Sequence, residues 1–173
     1  SVALQRAFPG LIELCFTDAT TFEMADLENM AVEGICGLIS GLRELEAVAF
    51  GSILRPEINI DGIADEVSLA DKLVGVLAAT NVKRLAFNRP NWDLSWVSSL
   101  VGLTHLSLAW SEVTEQTFDL ITANCRDLES VDLRRRGYFT ENENGSFAYI
   151  PLLARLPRLV ELRAAGTFFE SRE

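Results

Sequence analysis

Residues 103–133 read LTHLSLAWSEVTEQTFDLITANCRDLESVDL, and this stretch decides the fold. It opens on a six-residue unit, Leu103-Thr-His-Leu106-Ser-Leu108, and closes on another of the same form, Leu128-Glu-Ser-Val131-Asp-Leu133. Within each unit, positions 4 and 6 have the two-residue period of a short strand with one face buried. Between the units, Val113, Phe118, Ile121 and Cys125 have helical spacing. The stretch therefore reads strand, loop, helix, strand.

The hexad recurs outward from there. Residues 11–16, 45–50, 82–87 and 159–164 share its form, with positions 1, 4 and 6 apolar throughout. The six units start 34, 37, 21, 25 and 31 residues apart. A second register accompanies them. Three residues before each unit stands Phe8, Leu42, Ala79, Leu100, Cys125 or Leu156. Seven before stands Leu4, Leu38, Trp96, Ile121 or Leu152, with Gly75 breaking the row. A four-residue step is the stripe of a helix lying on a sheet. One unit cannot fold alone. Three buried side chains contribute on the order of 5–9 kcal/mol, while ordering roughly 25 residues costs about 1–2 kcal/mol each. Neighbouring units must supply the missing burial, as in a solenoid. The expectation is one α/β domain over residues 1–173: about six repeats, a parallel sheet on the concave face and helices on the convex face.

On these hexads, and on Val113-Thr114-Glu115 with Cys125-Arg-Asp-Leu128, the chain resembles the leucine-rich-repeat family. The long repeats are similar to its ribonuclease-inhibitor-like branch, and more narrowly to the cysteine-containing repeats of F-box leucine-rich-repeat proteins. That pattern runs strand, loop, Ile-Thr-Asp, helix, Cys-x-x-Leu. Ser111 departs from it, standing where the family often has Cys or Asn. The resemblance implies a horseshoe arc that binds proteins, and by analogy a substrate receptor of a ubiquitin ligase, although no F-box helices occur in this sequence.

Composition sets the bounds. The 173 residues are 49% hydrophobic and carry a net charge of −10, which argues against nucleic acid or an anionic membrane surface as main partner. The longest apolar runs are far too short to span a bilayer. Cys15, Cys36 and Cys125 are an odd number at unrelated spacings, the pattern of reduced thiols in a cytoplasmic or nuclear protein. Asn144-Gly-Ser146 reads as a turn before it reads as a sequon. Asp61, Asp65 and Glu66 lack the alternation of a calcium loop. Neither a Gly-rich phosphate loop nor a paired Cys/His metal spacing occurs, so no cofactor is expected.

Along the chain, Val2, Leu4 and Phe8 fill helix positions with no strand before them. Thr20–Ser40 reads as loop then helix, and helices are expected over Ser68–Ala79 (Ser68 as N-cap) and Phe147–Leu156, with Pro151 in the first turn. Trp96 falls in the buried row and Trp92 outside it. No polar cap is evident at either end, so further repeats or other subunits are expected there.

Function then rests on a surface. Positions 3 and 5 of each hexad point away from the core. From the third unit on they carry Arg84, His105, Ser107, Ser130, Asp132, Glu161 and Arg163, with Arg134 following and Arg89, Trp110 and Arg135 flanking. Arginine forks suit carboxylates, and Trp110 offers an apolar anchor. The expected site is therefore Arg84, Arg89, His105, Trp110, Asp132, Arg134, Arg135 and Arg163, with an acidic protein segment as partner. A second reading stays open, in which 134–136 is a solvated loop neutralising nearby acids. A structural subunit of a larger assembly is the alternative function. A hydrolytic trio of His105, Ser107 and Asp132 is set aside, because an open sheet offers no oxyanion hole or water-excluded pocket.

Overall fold

The computed structural model describes residues 10–16, 27–50, 66–87, 94–109, 113–134 and 149–164 of the chain. Six strands form one sheet: β1 Glu13–Phe16, β2 Ala47–Phe50, β3 Arg84–Phe87, β4 His105–Ser107, β5 Ser130–Asp132 and β6 Glu161–Arg163. All five pairings are parallel, and the spatial order is the chain order. The hexads align position for position: Leu14, Val48, Leu85, Leu106, Val131 and Leu162 share one row across the sheet. An α/β architecture with a six-strand all-parallel sheet is thus established.

One hydrogen-bond device sets that register. The position-2 carbonyl of each of the first five hexads, on Ile12, Glu46, Lys83, Thr104 and Glu129, accepts two N–H groups. They come from positions 2 and 3 of the next hexad, at 2.7–3.0 Å. The same bonds at every step hold the strands in step, so the same sequence position meets its equivalent each time.

Helices α1 Leu27–Ser40, α2 Glu66–Ala78, α3 Glu115–Asn124 and α4 Tyr149–Leu153 connect the strands, with a 3₁₀ turn at Ser95–Ser99 between β3 and β4. They touch in chain order, α1 to α2, α2 to the 3₁₀ turn, that turn to α3, and α3 to α4. The 3₁₀ turn is what a 21-residue repeat has room for. It still buries Leu94, Trp96, Val97 and Leu100. The core lies between the two layers, where Val48, Phe50, Leu85, Phe87, Leu106 and Val131 meet Ile39, Leu73, Phe118 and Ile121. Phe50 stacks on Phe87, and Phe87 meets Trp96 at 90°, each pair 5.6 Å between centroids.

The helix-to-strand junction is shared as well. Leu45, Leu103, Leu128 and Leu159 each donate their N–H to the carbonyl three residues back, on Leu42, Leu100, Cys125 and Leu156. The third repeat departs from the expected row. Ala79 and Gly75 are exposed, and Leu77 and Leu73 are buried instead. The equivalent bond runs from Thr80 N to Leu77 O, two residues early, and the turn through Asn81 takes up the surplus. Ser68 lies inside α2 rather than before it. Thr114, by contrast, caps α3: its Oγ1 accepts from Thr117 N at 3.1 Å. Pro151 sits in the first turn of α4. Expectations for Val2, Leu4, Phe8, Asp61, Asp65, Trp92 and Ser111 fall outside the described residues. No helix among the described residues is long and apolar enough to cross a membrane.

Candidate functional site

Side chains at hexad positions 3 and 5 leave the core and meet on the open side of the sheet. There they line a shallow depression of about 220 Å³. Its position-3 row runs Glu13, Ala47, Arg84, His105, Ser130, Glu161, and its position-5 row includes Ala49, Ala86, Ser107, Asp132 and Arg163. Small uncharged residues floor the β2 side, and charges crowd the β5 and β6 side.

The charges there are arranged. Asp132 is 7% exposed although its position faces away from the core. Arg134 folds back over it: Arg134 N and Nε donate to Oδ1 at 3.1 and 2.9 Å, and Nη2 donates to Oδ2 at 2.7 Å. Burial pushes the Asp132 carboxyl up, but the hydrogen bonds and charge of Arg134, helped by Arg163, outweigh it and hold it below the ordinary aspartate value. The same bonds raise the Arg134 guanidinium. One step along the sheet, Ser130 Oγ donates to Glu161 Oε2 and Arg163 Nε donates to Glu161 Oε1, both at 2.8 Å. The Ser130 bond, then Arg163, lowers the Glu161 carboxyl. Arg84 is held more loosely, 3.8 Å from Glu13 Oε2.

The three residues set aside as a hydrolytic trio all border the depression, but two of them have polar atoms engaged elsewhere. His105 Nδ1 lies 2.8 Å from Thr104 Oγ1, and Asp132 is bound by Arg134. His105 and Ser107 sit two apart on one strand, about 6.7 Å along it.

The structure therefore brings together Arg84, His105, Asp132, Arg134 and Arg163 on one face. Arg89, Trp110 and Arg135 lie outside the described residues. Periodicity had already placed Ser130 and Glu161 on this face, and Glu13 lies in the same row, but the expected site did not include them. It also left out a second ionic group, at the turns joining the last two repeats. There Arg158 bridges Asp127 and Glu129 at 3.2 and 2.7 Å. Arg155 pairs with Asp119, and Arg126 donates to the Arg155 carbonyl at 2.7 Å. Among the described residues no group of three His, Cys, Asp or Glu side chains is placed to hold a metal ion.

No family model matches the chain, and no curated protein matches it.

Proposed function

We propose that this chain is a leucine-rich-repeat protein-binding module whose open sheet face is a concave recognition surface for an acidic protein segment. The observation that carries the reading is an imbalance of hydrogen-bonding capacity on that face. Two of its carboxylates are engaged through both oxygens: Asp132 accepts from Arg134, and Glu161 from Ser130 and Arg163. Its guanidiniums keep donors to spare: Arg163 spends one of five N–H donors, and Arg84 stands beyond hydrogen-bond distance of Glu13. Across the face three guanidiniums meet three carboxylates, Glu13, Asp132 and Glu161, so on a chain whose net charge is −10 this face is locally balanced. A ligand for the spare donors must bring acceptors, and planar carboxylates match the fork.

A titration of the whole chain with an acidic peptide and its Lys-for-Glu counterpart tests this. Binding of the acidic form only, weakened by added salt and abolished by Arg84→Glu with Arg163→Glu, is expected. Equal binding of both peptides, or binding indifferent to the arginine changes, rules the reading out. By analogy with F-box leucine-rich-repeat proteins, the bound segment would belong to a ubiquitin-ligase substrate.

A second reading, a structural subunit of an assembly, draws on a different observation. At the two outer strands Ile12 is 52%, Val160 86% and Leu162 46% exposed, and apolar sheet edges are places where other chains add.

A further inference from the structure

The two arginines with spare donors are not neighbours. Arg84 is at position 3 of β3 and Arg163 at position 5 of β6. Three strand steps of about 4.8 Å separate them across the sheet, and two residues, about 6.7 Å, along it. The diagonal is roughly 16 Å. Both side chains are about half exposed, at 44% and 56%. Among the described residues, His105, Ser107 and Ser130 intervene between them, and Arg134 is folded onto Asp132.

We propose that the open face reads spacing: it takes an extended segment bearing two carboxylates about 16 Å apart, one bound by Arg84 and the other by Arg163. This rests on the acidic-segment reading and sharpens it. An extended chain advances about 3.3 Å per residue, and side chains an even number of residues apart point the same way. Carboxylates at i and i+4 then span about 13 Å and at i and i+6 about 20 Å, both within reach of two flexible arginines. At i and i+2 the span is about 7 Å, and one segment cannot satisfy both. The middle of the segment must be uncharged. A central carboxylate would lie over His105, Ser107 and Ser130, beside Asp132 and out of reach of both spare guanidiniums, where Arg134 is already folded onto Asp132 and Ser130 already donates to Glu161.

Synthetic peptides with two Glu residues separated by one, three or five Ala/Ser residues, titrated into the ¹⁵N-labelled whole chain, test this by amide shifts at His105, Ser107 and Ser130. Single-Glu, Glu-free and centrally acidic peptides serve as controls. The i+4 or i+6 peptide is expected to bind at least tenfold tighter than the i+2, single-Glu and centrally acidic peptides. Arg84→Ala and Arg163→Ala should each bring it down to the single-Glu level, with the remaining amide spectrum unchanged. Two-Glu peptides that all bind alike, or only one arginine mattering, overturns the spacing rule while the acidic-segment reading stands. No acidic peptide binding above the Glu-free control overturns both.

Discussion

Cys125 shows how one residue joins two repeats. It is fully buried, and its thiol donates to the carbonyls of Val97 and Leu100, both at 3.6 Å, at the end of the preceding 3₁₀ turn. Burial pushes its ionisation up to about 11. Because the folded value lies above the ordinary 9.0, its contribution to stability is complete below pH 9 and is lost as pH rises towards 11. Iodoacetamide on the native chain should therefore label exposed Cys15 and spare Cys125 until the chain unfolds, as peptide mass spectrometry would show. Asp132 has the opposite sign. Its folded value is depressed, so its contribution is present above the unfolded aspartate value and disappears as pH falls through the folded one. Asp132→Asn should flatten the acid limb of the stability–pH curve and leave stability at pH 7 lower; an unchanged acid limb would remove Asp132 from the account. For Arg134 the consequence is that its first duty is to cover Asp132, with only its remaining donors left for a partner.

At the level of the element, the hexads were legible and the helix rows less so: in α1 Ile35 and Ile39 are buried while Leu38 is only partly so. Positions 1, 4 and 6 are apolar in all six units, and a strand buried on one face admits only one reading of that pattern. At the end of α2 and just beyond it, the apolar run Leu73, Val74, Val76, Leu77, Ala78 and Ala79 fits several stripes three or four residues apart. Contact with the sheet selects Leu73 and Leu77. Leu77→Ala should cost about 2–5 kcal/mol in denaturant unfolding, whereas Ala79→Lys should stay within about 0.5 kcal/mol. The reverse ranking would restore the row the spacing alone suggests.

For the whole molecule, the sheet runs in chain order and its two edges are β1 and β6. Interior rows are closed by neighbours: Leu85, Leu106 and Val131 are at most 2% exposed, while Leu162 in the same row on β6 is 46% exposed. Val160→Lys with Leu162→Lys should reduce any self-association seen by light scattering, with little change in melting temperature. A monomer unaffected by the double change would count against a structural-subunit role. The ion pairs that tie the last two repeats together are about half exposed, and pairs of that kind add little stability.

Periodicity by itself determined the strands, their parallel order and the face each side chain takes, because a buried row tolerates only apolar residues and a strand alternates without exception. Which arginine is spare and which is spent was decided by tertiary structure alone. Arg134 and Arg163 look alike in the chain, each on the same face as a carboxylate two residues before it. Only the folded backbone lets Arg134 close both its N–H and its guanidinium on a buried Asp132. Glu161, shared with Ser130 across the strand, takes just one nitrogen of Arg163.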